Sequence, residues 1–368
     1  MEASDVRRTL SRLRVEQVLG AIVAVLLLYL VVDLLRQLVT GTLSTSTLQQ
    51  YLWRGIVVGL IYGLAGIGLS MTYSILRFAN FSHGDLLTTG MFSGWSAAYV
   101  IAGFGAYNLG NLLLVRPNND PTPGAVGMAI DSQPVAILGG IVVAALFTVA
   151  IALAADRLVY RRLRKQSSIA LLIASVGVAF VLRYLIAFVF TRSNRAVPAS
   201  APETTLDIGI ASTTVNLHEM TLVVSAIVLM VGVHLMLQHT KLGTSMRAMA
   251  DNRDLAKITG IPTERVVLAT WVIGAALAGI AGYLIVLNTG TITYTRGWTL
   301  LLPVFAGVIL GGIGSVYGAI LGGLIIGIVD EVAIIWLPNE MTMAAAFLLM
   351  IFILIFRPQG LLGGVETA

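Results

Sequence analysis

Apolar residues fill this chain in runs of about 20 broken by short polar stretches, and a helix needs a run of that length to cross a bilayer core of roughly 30 Å. Eight runs predict such spans: Val18 to Val39, Leu52 to Leu76, Leu86 to Phe104, Val135 to Ala155, Ile169 to Phe190, Met220 to Leu237, Val266 to Leu287 and Met341 to Phe356. A further run, Leu300 to Val329, is too long for one upright crossing, and its middle reads Gly311-Gly312-Ile313-Gly314-Ser315. Each glycine disfavours a continuous helix by about 1 kcal/mol. The run therefore predicts a glycine-broken re-entrant hairpin, two half-helices around a mid-membrane turn, in preference to one tilted helix with a kink. Broken backbone at that depth is tolerated only when buried in protein or lining a wet cavity. The expected fold is an all-α polytopic transmembrane bundle.

Charge in the connecting stretches sets the expected orientation. The segments before Val18, from Asp156 to Ser168 and from Gln238 to Arg265 hold four, five and five Lys or Arg. Ala106 to Pro134, Thr191 to Glu219 and Asn288 to Thr299 hold one, two and one. Short cytoplasmic loops concentrate basic residues, so the first group belongs in the cytoplasm with the N-terminus, and the second group forms outer loops. A hairpin entered and left from the outer side then puts Asp330 and Glu331 outside and Arg357 with the C-terminus inside. Arg7, Arg8, Arg12 and Arg14 before an apolar run resemble a signal peptide, but the run continues to Asp33-Leu34-Leu35-Arg36 without a small-residue cleavage site, as in a retained anchor.

Composition agrees with a membrane protein: 57% hydrophobic residues, 11% charged and a mean hydropathy of +0.90, against roughly one-quarter charged residues in soluble domains. The net charge of +5 gathers in loops on one side, which suits contact with anionic membrane lipid and gives no support for nucleic-acid binding. The absence of cysteine excludes disulfides and thiolate chemistry.

The longest charged interruption is Thr240 to Val266, with Lys241, Arg247, Arg253, Lys257 and Arg265. Leu242, Met246 and Met249 recur at helical spacing, and Arg247 and Asp251 stand four apart, able to pair across a turn. Asp251 or Asn252 can cap a second short helix from Arg253 to Thr259, which Gly260-Ile261-Pro262 would stop. Two short helices at a corner suit a groove on a cytoplasmic partner; a solvated connector lying on its own bundle fits the pattern as well.

A second polar cluster, Asn80-Phe81-Ser82-His83-Gly84-Asp85, lies between the second and third spans. Polar side chains so near hydrocarbon are expensive unless buried or hydrated. Asn80, Ser82 and His83 offer hydrogen bonds to a zwitterionic or amide solute in a pathway, and Asp85 could answer an ammonium. The plainer reading is a membrane-surface turn in which Asn80 or Ser82 caps the next helix. Arg183, seven residues from the end of its span, reads as a side chain snorkelling to the interface, and His234 as structural.

Glycine, 38 residues in all, repeats at four-residue spacing: Gly59 and Gly63; Gly307 and Gly311; Gly314, Gly318 and Gly322; Gly323 and Gly327. Such spacing lets helix backbones approach closely in a membrane, so Gly59 to Gly68 predicts an internal packing face. Other chemistries fall away. None of the three lysines, Lys165, Lys241 and Lys257, follows a glycine, so the chain has no phosphate-binding P-loop; it also has no His-Glu-x-x-His metal site and no Gly-x-Ser-x-Gly elbow. No catalytic residues, metal ligands or bound cofactor are expected, and an intramembrane enzyme using His83 and Asp85 lacks a nucleophile.

Three motifs in order now carry a resemblance: Asn80 to Asp85; Gly243-Thr244-Ser245-Met246-Arg247-Ala248-Met249-Ala250-Asp251-Asn252 with Ala256 and Gly260-Ile261; and Gly311-Gly312-Ile313-Gly314-Ser315 followed by Gly318. Over roughly Gln49 to Gly364 the chain resembles the permease subunits of branched-chain amino acid ABC importers. The resemblance implies a type II-like importer permease of the prokaryotic plasma membrane, working with a second related permease, two cytoplasmic ATPases that use ATP and magnesium, and an extracytoplasmic solute-binding protein. Residues 239–265 would be the coupling loop, with Gly243, Met246, Arg247, Ala248, Asp251, Asn252, Ala256, Gly260 and Ile261 meeting the ATPases. Residues 1–48 would be an N-terminal segment and additional span beside a permease domain at 49–364. Branched-chain amino acids are the implied cargo, with urea or short amides carried by relatives. The alternative is a self-contained channel in which the hairpin forms the constriction.

Overall fold

The computed structural model describes residues 3–102, 129–192, 194–196, 201–208 and 211–363. Most of the long loop expected at Ala106 to Pro134, together with Phe104 and Gly364, lies outside the described residues. The long helices are α1 (Ala3–Thr40), α2 (Thr45–Leu76), α3 (Ser82–Ala102), α4 (Pro134–Ala155), α5 (Ser168–Phe190) and α6 (Leu217–His239). Two short ones follow, α7 (Lys241–Asp251) and α8 (Arg253–Ile258), and then α9 (Thr263–Thr289), α10 (Arg296–Gly311), α11 (Val316–Val332) and α12 (Thr342–Phe356). A π-helical turn at Asp156–Tyr160 and a last turn at Arg161–Leu163 continue α4.

Among the described residues, eight helices are long and apolar enough to cross a membrane. They differ from the eight runs of the sequence in one member. The α3 segment, whose first turns carry Ser82, His83, Asp85, Thr88 and Thr89, is absent from the set, and Val316–Ile335 joins it. The centre of the bundle is α2 and α9, whose apolar windows are 89% and 83% buried; α1 is unburied along its window. It touches the bundle through Trp336 Nε1, which donates to Asp33 Oδ2 at 3.0 Å, and where Phe356 lies against Gly20.

Glycine decides which helices meet. A methyl group on Gly59 would stand 2.7 Å from Leu324 Cα, and one on Gly327 would stand 2.4 Å from Gly59 N, so α2 and α11 touch backbone to backbone. The arms α10 and α11 close in the same way through Gly307, Gly311, Gly318 and Gly322. Without a hydrophobic drive between helices in lipid, such close approach is what holds them together.

The hairpin breaks where the glycines predict it. Gly312 and Gly314 take φ of 111° and 92°, a region closed to most side chains, and Ser315 caps α11 by accepting from Gly318 N at 3.0 Å. Its depth differs from the expectation of a mid-membrane turn. The arms are 16 and 17 residues, about 24 Å each, and the turn lies beside the last turns of α2, where Ser70 Oγ donates to Ser315 O at 3.1 Å. Leu361 and Leu362 N–H groups close the end of α10 by donating to Leu310 and Gly311 carbonyls. The arms are long because α10 and α11 pack against each other and α2 along their whole glycine faces.

The two ends of the bundle are chemically distinct. At one, Arg164 pairs with Asp156 at 2.7 Å and with Glu264 at 2.8 Å, and Arg77 donates to the Ala250 carbonyl of α7. The basic stretches at Arg157 to Lys165 and Lys241 to Arg265 therefore share this end. At the other lies structure that the polar loop Thr191 to Glu219 did not announce: β1 (Arg195–Ala196) pairs with β4 (Thr291–Ile292), and β2 (Glu203–Ile208) pairs antiparallel with β3 (Ala211–Asn216). Gln50 hooks the β-hairpin to α2 through both its amide atoms and Thr214, and Glu219 accepts from Trp53 Nε1 at 2.8 Å.

Replacing Gly59 by Leu should push α2 off α11 and lower the thermal midpoint of the detergent-purified chain by several degrees, since overpacking costs about 1–3 kcal/mol or more. Gly232→Leu, at a position with nothing within 4 Å, is the matched control and should leave the midpoint unchanged; equal midpoints for both variants would contradict the packing.

Candidate functional site

The polar island folds as two helices at a corner. Thr240 caps α7 by accepting from Gly243 N at 3.0 Å, and Asn252 caps α8 by accepting from Asp254 N at 3.1 Å and Leu255 N at 2.9 Å. Gly260, at φ 84°, ends α8 before Ile261-Pro262. The inward face of α7 carries Gly243, Met246 and Met249, all buried. A Cβ at Gly243 would meet the Leu237 and Met236 carbonyls, so the chain can turn so sharply off α6 only with glycine there.

This geometry divides the nine residues expected to meet a partner. Gly243, Met246 and Ala256 are buried within the chain, and Ala248 and Ile261 are half-buried. Arg247 turns inward, donating from Nη1 to Gln238 Oε1 at 2.8 Å, and among the described residues no ion pair joins it to Asp251. Asp251, Asn252 and Gly260 are exposed. The outward apolar contact belongs to two residues that the spacing did not single out, Leu255 at 54% exposure and Ile258 at 80%. Both stand open on a short helix among the charged Arg253, Asp254 and Lys257.

Behind α7 lies a cavity of about 820 Å³, bounded by Met71, Ser74 and Arg77 of the α2 end, by Met246, Arg247 and Asp251, and by Gly314, Ser315 and Tyr317 of the hairpin. Two of the three sequence motifs thus share one space, with Gly311 and Gly312 buried just above it. His234 Nδ1 meets Tyr317 Oη at 2.7 Å close by, a structural contact.

The third motif lies elsewhere and is closed. After Arg77, which takes left-handed φ of 59°, the chain climbs back along α2. His83 Nε2 donates to the Ala65 carbonyl at 2.9 Å, eleven residues before the end of α2, so α3 starts about 16 Å inside the bundle. Asn80 Oδ1 accepts from Ser82 N and from Ser82 Oγ at 2.7 Å, and Ser82 Oγ meets Tyr160 Oη at 2.8 Å. Tyr160 stacks on Trp271 with centroids 5.0 Å apart. Ser175 Oγ accepts from Phe81 N at 3.0 Å.

Asp85 is held by Arg183: Nε to Oδ1 at 3.1 Å and Nη2 to Oδ2 at 2.9 Å. Asn80, Ser82, His83 and Asp85, the residues expected to face a pathway, are all buried and each hydrogen-bonds within this chain, with Asn80 Nδ2 left without a partner. They fasten broken backbone that has no water to bond. His83 and Asp85 hold separate partners, so they form no acid–base pair. Arg183 does not snorkel either: a buried carboxylate is cheaper paired than alone, and the pair joins α5 to α3. The signal lay in the sequence as two opposite charges, each stranded in apolar surroundings; which met which required the fold.

With a glycine-locked bundle, a two-helix corner at its basic end and a hairpin turn beside it, the comparisons with known proteins can be placed. The sequence model of the family described as branched-chain amino acid transport system / permease component matches residues 51–354. The chain belongs to this family. It is 28% identical over 320 residues to the high-affinity branched-chain amino acid transport system permease protein BraD of Pseudomonas aeruginosa, covering 86% of this chain and 96% of that protein. It is 27% identical to the corresponding permease protein LivH of Escherichia coli, with the same coverage. The probable branched-chain amino acid transport permease protein LivH of Methanocaldococcus jannaschii is 33% identical over 37% of this chain and 45% of its own. No solved structure matches. This permease is thus an integral membrane transport component, and α1 precedes the stretch that the family model matches.

In the permease, Arg183→Ala should destabilise the fold by about 3–5 kcal/mol by leaving the Asp85 carboxylate buried and unpaired. Removing both charges, Asp85→Ala with Arg183→Ala, should cost less than the sum of the single changes. A double-mutant cycle from denaturation in detergent measures the coupling, and additive losses would mean that the pair is not closed.

Proposed function

We propose that residues 49–364 form one half of the membrane gate of an ATP-driven importer, with branched-chain amino acids as cargo, and that ATPases on other polypeptides work it from its basic end. The observation that carries the reading is the corner α7–α8: Leu255 and Ile258 point outward while Met246 and Arg247 point into the cavity shared with the end of α2 and the hairpin turn. A partner gripping α8 therefore pushes α7 against both the hairpin and the innermost helix, and packed interfaces of this kind switch between discrete arrangements rather than deform smoothly. Compared with the sequence reading, the grip moves from Met246 and Arg247, which face inward, to the outward side of α8.

In this scheme the basic end faces the cytoplasm of a prokaryotic cell, consistent with the charge bias of its loops, and both termini are cytoplasmic. ATP and magnesium are used by the two partner ATPases, since the chain carries no phosphate-binding loop of its own. A second related permease completes the gate. The β-hairpin at Glu203–Asn216 lies at the opposite end, where an extracytoplasmic binding protein would deliver solute. The cargo is that named for BraD and LivH, 96% of whose length the chain covers.

Co-expression with the proposed partner ATPases, binding protein and second permease, followed by reconstitution in liposomes, tests the reading. ATP-dependent leucine uptake is expected, and Ile258→Asp should release the ATPases during purification while the permease stays folded. Solute flux through this chain alone, or full ATPase retention in Ile258→Asp, would count against it.

A further inference from the structure

Arg183 uses one of its two hydrogen-bonding edges. Nε and Nη2 meet Asp85, while Nη1 bonds to no described residue, and the side chain keeps 10% of its surface exposed. A guanidinium carries five N–H donors in a fixed plane, so a second carboxylate can still bind end-on across Nη1 and Nη2. The guanidinium carbon lies 4.4 Å from the ring centroid of Trp298 and 5.1 Å from that of Phe180. Phe81 extends the aromatic surface 6.3 Å from Trp298, and Phe305 follows 5.3 Å from Phe81. The core aromatics Trp271, Tyr283 and Phe92 are closed, but these four remain partly open, and Leu302 on the same side of α10 is 59% exposed. A cationic edge and an apolar platform therefore open together on one flank of the bundle.

Depth narrows what can meet them. Arg183 stands seven residues short of the end of α5, about 10 Å below it, too deep for a lipid headgroup, and Asp85 prevents it from reaching upward. A free guanidinium edge facing hydrocarbon is costly, so ionisable groups at this depth face a pathway or a partner. We infer that this flank lines the translocation pathway, with Arg183 receiving the carboxylate of an amino acid and Phe81, Trp298 and Phe305 receiving its branched apolar side chain. The inference rests on the importer reading and gives it a solute site. Asp85 is then a positioning residue: it fixes the guanidinium plane and neutralises it, so that a zwitterion adds no net charge and binds weakly enough to leave, as transport requires.

The test uses the complete importer. Saturation-transfer NMR without binding protein should show contact from L-leucine and none from L-leucinamide, which lacks the carboxylate; this arm needs no variant. In liposomes with binding protein and ATP, Arg183→Lys keeps the charge without the fork, and Asp85→Asn combined with Arg183→Gln keeps a hydrogen-bonded neutral pair. Leucine uptake should fall about ten- to hundredfold in both, the worth of a charge-assisted bidentate bond, in complexes that still assemble with their ATPases. If the neutral pair restores uptake, or leucinamide contacts the importer as leucine does, Arg183 is a clamp only and the inference fails while the importer reading stands. A wild-type importer that takes up no leucine overturns both.

Discussion

Water is missing from the middle of a membrane protein, so any backbone that leaves a helix there must find its hydrogen bonds within the chain, and the break between α2 and α3 depends on that constraint. The segment from Arg77 to Phe81 re-enters the bundle, and α3 begins beside Ala65. The polar side chains near the break hold it: Asn80 on Ser82, Ser82 on Tyr160, His83 on α2, Asp85 on Arg183. Because Tyr160 belongs to the π turn after α4 and Arg183 to α5, the same contacts tie the outer helices to the core. The polar cluster is a structural fastening first. Two groups are left over, Asn80 Nδ2 and the guanidinium edge that Asp85 does not use.

The gate-like parts share a second constraint, the close approach allowed by glycine. Gly59 and Gly327 bring α2 and α11 to backbone contact, and Gly307, Gly311, Gly318 and Gly322 do so within the hairpin. Elements packed this tightly transmit displacement, since there is no slack for a shifted helix to occupy. The hairpin turn and the end of α2, which is the most buried of the apolar helices among the described residues, both border the cavity behind α7.

Much of this was legible before the fold. Seven of the eight apolar runs coincide with helices apolar enough to cross a membrane, because transfer of about 20 residues into hydrocarbon is decided locally. The corner at Asn252 and the stop at Gly260 were legible for the same reason, as caps act within a few residues. The depth of the hairpin turn was not: arm length was judged from the glycine break, whereas it is set by packing along α2. Leu255 and Ile258 were not singled out because a short amphipathic helix reveals that it has two faces without revealing which one its own bundle covers.

The sequence alone determined the apolar character of the chain, seven of its eight span-length helices, the basic end and the family, since each follows from local composition or from motifs carried within one segment. Only the tertiary structure decided which stranded charge met which, that Met246 and Arg247 face inward while Leu255 and Ile258 face out, and that α3 starts deep in the bundle. Those are questions of contact between residues as far apart as Asp85 and Arg183, and the free energy that settles them comes from burial and pairing, which exist only once the helices are packed.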